Sequence, residues 1–176
     1  MKKFELTSEF VTFLGKKLFR IKALVSFGDV KEGELGGLVE KEENLDQSGN
    51  AWVYGNARIS GDARVSGDAQ VYGNARVSGD AQVSGNAWVS GDAWVSGDAW
   101  VQNCRDYSAT SCFGSENRTT TFFRTKDGGI SVRCGCFYGT LNEFREKVKE
   151  RHGDSRLAKE YLMLADLMEF RLSKDE

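Results

Sequence analysis

Apolar residues in the middle of the chain recur at two fixed positions of a six-residue period. From Ala51 to Cys104 the sequence runs as nine consecutive hexapeptides: AWVYGN, ARISGD, ARVSGD, AQVYGN, ARVSGD, AQVSGN, AWVSGD, AWVSGD and the degraded AWVQNC. Eight of them follow the pattern Ala, variable, Val or Ile, Ser or Tyr, Gly, Asp or Asn. In an extended segment the Ala and the β-branched residue two places on share one side, and the variable residue between them points to the other. Gly followed by Asp or Asn then tolerates the positive φ of a sharp turn. Strands this short cannot stand alone. Three such sides close a triangular coil, and successive coils stack about 4.8 Å apart as parallel strands bonded through their backbones. Ala takes the tightest part of the interior and Val or Ile fills the centre. A flexible Gly/Ser linker is excluded, because the aliphatic residue never leaves its phase.

With three hexapeptides per coil, residues eighteen apart stack and the exterior is legible face by face. The first face carries Trp52 and Tyr54, Gln70 and Tyr72, then Trp88 and Ser90; the second carries Arg58, Arg76 and Trp94; the third carries Arg64, Gln82 and Trp100. One corner stacks Asn56, Asn74 and Asp92, the next Asp62, Asp80 and Asp98, and the last Asp68, Asn86 and Cys104. Outward indoles are costly in water, so the collar of Trp88, Trp94 and Trp100 is expected to be covered by the chain's own C-terminal segment or by neighbouring subunits. A ligand stacked on the rings is the alternative. Trp52, Tyr54 and Tyr72 make the first face the expected contact of a homo-oligomer. The Asp62, Asp80 and Asp98 column stacks like charges, relieved either by turn amides with Arg58 and Arg76 nearby or by a bound cation.

The flanks divide the chain into an N-terminal cap with opening coils (1–50), the hexapeptide prism (51–104) and a C-terminal ββαα domain (105–176). A short amphipathic helix is expected around Ser8 to Leu14, and a strand where Leu18, Arg20 and Lys22 alternate with Phe19, Ile21 and Ala23. A solenoid needs such a cap to cover its strand edges. After a polar crossing over Gln102 to Ala109, TTTFFRTKDGGISVRCGCF reads as two strands joined at Lys126 to Gly129. Thr140 and Glu143 form a capping box for a helix that Gly153 ends. Asp154 or Ser155 starts a second helix to about Leu172, with Leu157, Tyr161, Leu164, Ala165 and Met168 in one apolar stripe.

The hexapeptide run resembles the left-handed parallel β-helix of hexapeptide-repeat proteins, a family that includes many trimeric acyltransferases. That resemblance covers residues 51 to 104. It implies the handedness and a trimer, giving a mainly β fold: a left-handed parallel β-helix with an irregular N-terminal cap and a small α+β C-terminal domain. The wider organisation, FGDVKEGELGGLVEKEENL, then AxVxGN/D units, then GSENRTTTFFRTKDGG with CGCFYGTLNEF, is similar to that of proteins encoded by bacteriophages and prophage regions. It implies a phage origin and transfers no activity to individual residues.

Composition sharpens the functional expectation. The 176 residues include 20 glycines and no proline, with a formal charge of −2, which argues against a binder that relies on a basic surface to hold nucleic acid. No apolar run is long enough for a membrane span, and MKKFELTSEF is charged where a signal peptide is apolar, so a cytoplasmic location is expected. Cys104, Cys112, Cys134 and Cys136 lack zinc-site spacing and read as thiols, with Cys134 and Cys136 as buried small hydrophobes in a strand. No metal and no cofactor are called for. The acyltransferase reading lacks its histidine base and its coil-interrupting loop within residues 51–104, and the single histidine, His152, reads as a surface or capping residue. Ser115, Asn117, Arg118, Arg124 and Arg133 are candidates for holding a phosphate or carboxylate. The leading expectation is a non-catalytic oligomeric scaffold, trimeric by preference, that binds a host protein such as a defence component. Sequestration of a small nucleotide or other anion at subunit clefts is the first alternative, and a divergent hexapeptide acyltransferase is the second.

Overall fold

The computed structural model describes residues 2–173, and within them the hexapeptides wind into a β-solenoid. Each unit contributes one two-residue strand: β4 (Trp52–Val53), β5 (Arg58–Ile59), β6 (Arg64–Val65), β7 (Gln70–Val71), β8 (Arg76–Val77), β9 (Gln82–Val83), β10 (Trp88–Val89), β11 (Trp94–Val95) and β12 (Trp100–Val101). Strands eighteen residues apart pair in parallel, β4 with β7 and β10, β5 with β8 and β11, β6 with β9 and β12. These are the three faces expected from the period. The inward Ala and Val or Ile of every unit are fully buried, and backbone bonds such as Arg58 N–H to Ala75 O at 2.9 Å tie each coil to the next. The short strands are held by this stacking and by the shared core, since each makes too few bonds to persist alone.

The solenoid begins before the repeat does. Strand β3 (Leu35–Val39) runs parallel to β5, with Leu38 beside Arg58 and Val39 beside Ile59, and Leu45 bridges Val65. The offset there is twenty residues where later coils have eighteen. Gly37 takes the position that Ala fills below: a Cβ on it would lie 2.5 Å from Val53 Cγ1 and 2.7 Å from Ala57 O. Asn44 is fully buried, its amide donating to Gly61 O and Ala63 O at 3.0 and 2.9 Å.

The helix expected around Ser8 to Leu14 is instead part of strand β1 (Phe4–Phe13), which pairs antiparallel with β2 (Lys16–Ala23). The Phe, Thr and Val of this segment suit a pleated surface, and β2 supplies the partner that a helix there would forgo. Phe10 packs on Phe19 with ring centroids 5.8 Å apart. β2 in turn pairs antiparallel with β3, so the hairpin extends the second face and covers the edge of the first coil.

The polar crossing expected over Gln102 to Ala109 ends early, in strand β13 (Tyr107–Phe113). It opens an antiparallel sheet with β14 (Arg118–Arg124), β15 (Ile130–Cys134) and β16 (Phe137–Thr140). The small domain therefore has four strands where two were expected. Helices α1 (Leu141–His152) and α2 (Arg156–Leu172) follow. Thr140 and Glu143 form the capping box, and these hydrogen bonds hold the Glu143 carboxyl below its usual range. Gly153 closes α1 at φ 54°. Ser155 caps α2, which buries Tyr161, Leu164, Ala165, Met168 and Leu172. One face of the sheet, with Phe122 and Val132, packs on the helices; Phe123 on the other joins the prism core. Cys134 is half-buried and accepts a hydrogen bond from Thr120 Oγ1 at 3.2 Å, but Cys136 is exposed, because Gly135 (φ 59°) turns the chain before it. All four cysteines are free thiols.

The C-terminal domain packs on the end of its own prism. Trp94 N–H donates to Thr121 Oγ1 at 3.0 Å, Lys126 N–H to Asp98 O at 3.1 Å, and Ala99 bridges Thr125. Among the described residues no helix is long and apolar enough to cross a membrane.

Candidate functional site

The three faces of the prism differ in what covers them. On the second face the guanidinium groups of Arg58 and Arg76 lie over the Phe13 ring of the hairpin, at 4.6 and 4.9 Å. Below them Trp94 is held by Arg133, 3.8 Å from its ring, while its indole donates to Ser78 Oγ at 3.1 Å. Burial lowers the Arg133 pKa from its usual value; stacking on the indole returns part of the lost solvation. The third face is polar, with Arg64 and Gln82 exposed and Trp100 half-buried. Beside it Glu42, Glu43, Asp46 and Gln47 line an open recess.

The first face is aromatic and open. Tyr54 and Tyr72 stack with centroids 4.4 Å apart and planes 5° from parallel, and Trp88 meets Tyr72 edge-on at 5.7 Å. Burial, then the neighbouring Tyr72, pushes the Tyr54 phenol up to about 12. The ladder ends in Trp88, which is 56% exposed. Trp52 does not share this surface. Expected to face outward as an interface residue, it is completely buried, because Phe4 and Phe27 from the N-terminal region close on its ring edge-on at 6.2 and 5.4 Å. Of the collar, Trp94 and Trp100 are half-buried beside the chain's own C-terminal domain, and Trp88, though more exposed, lines a crevice with Tyr107, Ser108, Ala109 and Arg171 of that domain, where Ser90 N–H donates to the Tyr107 hydroxyl at 3.3 Å.

The candidate anion residues separate. Arg124 is spent on structure: it donates to Asp106 Oδ1 at 3.1 Å, to Leu172 O at 2.7 Å and to Ser173 O at 2.9 Å. Asp106, nearly buried, also accepts from the Gln102 and Asn103 amides. Arg133 is held on Trp94, and Asn117 occupies the β13–β14 turn at φ 48°. Asn117, Arg118 and Arg133 line one crevice; Ser115 and Arg118 line a different pocket. The five therefore do not form one site.

Sequence reasoning missed the residues that complete the second pocket: Phe137, Phe144, Lys147, Arg151, His152 and Tyr161. The available signal was the four-residue spacing of Lys147 and Arg151 on α1, which puts both on one helix face. His152 stacks on Tyr161 with centroids 5.7 Å apart. The Asp column is relieved differently from expectation. Lys41 donates to Asp62 at 2.6 Å and holds that carboxyl below its usual range, and Tyr138 donates to Asp98 at 3.1 Å. Arg58 and Arg76 are occupied with Phe13.

No curated protein matches the chain. Residues 57–71, 69–83 and 81–97 each match the YdcK Beta solenoid repeat, and this match and the stacked coils together make the chain a repeat β-helix protein.

Proposed function

We propose that the chain is a non-catalytic oligomeric scaffold of phage origin, which assembles as a trimer through the first face and presents its remaining surface to a host protein in the cytoplasm. The observation that carries this reading is the Tyr54, Tyr72 and Trp88 ladder. The second face is occupied by the chain's own hairpin and C-terminal domain and the third is polar, which leaves the first as the face where a second copy buries ring surface without stranding charge. Around a three-fold axis each copy of the ladder faces those of its two neighbours. A role as a recognition surface also suits a prism whose repeat offers Ser, Tyr, Asp and Asn and no histidine. Outside the prism, His152 is stacked on Tyr161, and the Ser115 amide donates to the Tyr161 hydroxyl at 3.3 Å; among the described residues no hydrogen bond joins His152 to Ser115, Cys134 or Cys136, which line the same pocket, so no activated nucleophile is set up there.

Solution mass measured by light scattering tests the assembly. Wild type is expected to have the mass of three chains, and Tyr72→Ala/Trp88→Ala to have the mass of one, with its β-rich circular dichroism unchanged. A monomeric wild type, or a double variant of unchanged mass, overturns the proposed interface.

A further inference from the structure

We infer that the C-terminal domain binds a small organic anion, an apolar ring or branched chain bearing a carboxylate or phosphate, in the pocket between β16, α1 and the β13–β14 turn. The pocket, open on one side, offers about 280 Å³, just below the range of about 300–1,000 Å³ for small-molecule sites. Its floor is aromatic. Phe137 tilts against Phe144 at 5.6 Å, and Tyr161 meets Phe144 edge-on at 5.8 Å. Phe144, Val148 and Tyr161 are buried in the core of the small domain, which holds them in place by packing.

The rim is cationic. Arg118 enters from β14, and Lys147 and Arg151 come from one face of α1. Opposing them on the lining is Glu116, 3.7 Å from Arg118 in a pair exposed on both sides, which holds Arg118 only weakly. Lys147 contacts Glu150 at 2.8 Å, again at the surface. Arg151 makes no ion pair among the described residues.

The juxtaposition defines the ligand. Water in the pocket gains nothing from the aromatic floor, and a bare phosphate gains only the rim, where each guanidinium offers charge-assisted donors. A neutral ring gains only the floor, through burial of its apolar surface. A molecule with both features satisfies both. The site is complete within one chain and stands apart from the first face, so it does not depend on how the prism assembles.

The full chain is titrated with phenyl phosphate and with benzoate, using inorganic phosphate and benzyl alcohol as probes of rim and floor alone. At least one of the two aryl anions is expected to bind about tenfold more tightly than either single-feature probe, which corresponds to about 1.4 kcal/mol. Arg118→Ala/Arg151→Ala is expected to remove about tenfold of that affinity while the melting temperature stays unchanged, both side chains being at the surface. Bound probe should also slow alkylation of Cys136, which lines the pocket, and leave Cys104 on the prism unaffected. Aryl anions that bind no more tightly than inorganic phosphate overturn the inference, as does binding indifferent to the double substitution or equal protection of Cys104.

Discussion

Trp52 and Trp88 hold the same position of the hexapeptide on the same face, yet one is sealed and the other is 56% exposed. The repeat fixes which side of the wall a residue occupies, and the segments that lie outside the wall decide its environment. Trp52→Ala is therefore expected to cost about 3–5 kcal/mol, as for other buried large-to-small changes, and Trp88→Ala less than about 1 kcal/mol, both read from urea unfolding of protein at a concentration where it is monomeric. Similar losses at the two sites would mean that Phe4 and Phe27 do not seal the first. The hexapeptide phase was legible from the sequence, but these coverers come from a segment with no register, and no local pattern names them.

Lys3 offers a second test at this scale. Its ammonium is almost fully buried, 2.9 Å from Ala51 O, with Ser48 O and Gly49 O at 3.3 and 3.4 Å. Burial lowers its pKa to about 8, against an opposing pull from Asp46. Below pH 8 the lysine is charged both folded and unfolded, and folding carries the full burial penalty. Between pH 8 and its ordinary value of about 10.4, the unfolded chain holds more protons, so stability rises with pH. The expected gain from pH 7.5 to 10 is on the order of 2 kcal/mol and absent in Lys3→Met. A wild type whose stability falls in step with the variant over that window would contradict it.

Among the elements, the prism and the helix pair were legible because each announces itself locally, by a strict period or by caps such as Thr140 with Glu143 and Ser155. The first coil was not. Gly37, Leu38, Val39 and Leu45 occupy repeat positions, but the coil is two residues longer than the others and the corner is filled by buried Asn44. A pattern search anchored on Ala51 therefore stops one coil short. β1 was misread as a helix because its strand character is conferred by β2 and β3, a pairing that local spacing does not encode.

Arg124 is the element-scale counterpart of Trp52. Three arginines in the hairpin looked alike in sequence, yet this one joins the prism exit at Asp106 to the end of α2. Removing it leaves the buried Asp106 carboxylate with only the Gln102 and Asn103 donors among the described residues, and losing a hydrogen bond to a charged group costs about 1.5–3 kcal/mol. Arg124→Ala is expected to destabilise by that order and to raise amide exchange at the end of α2 more than in the prism. It should leave aryl-anion affinity in the folded population unchanged, because Arg124 does not line the pocket. Exchange that rises equally throughout the prism would place the tie elsewhere.

For the whole molecule the period makes the prism modular, and a comparison of two deletions separates the interior from the surface. Every unit turns Ala and Val or Ile inward, so the core is indifferent to which hexapeptide follows which, and stability in such arrays is carried by neighbour contacts. Removing residues 69–86 takes out three units and one full coil. Tyr54 then lies next to Trp88 as Tyr72 does now, and the first face remains continuous. Removing residues 69–74 takes out one unit, and every later unit rotates by a third of a coil, which carries Trp88 to the third face and leaves Tyr54 without the ladder. Both variants are expected to fold, with cooperative unfolding and a β-rich spectrum, because the C-terminal domain touches the last coil and moves with it. Only the eighteen-residue deletion should retain self-association. If both assemble, contacts away from the ladder hold the subunits together; if the six-residue deletion fails to fold, the units are not interchangeable and the exterior faces help to specify the winding.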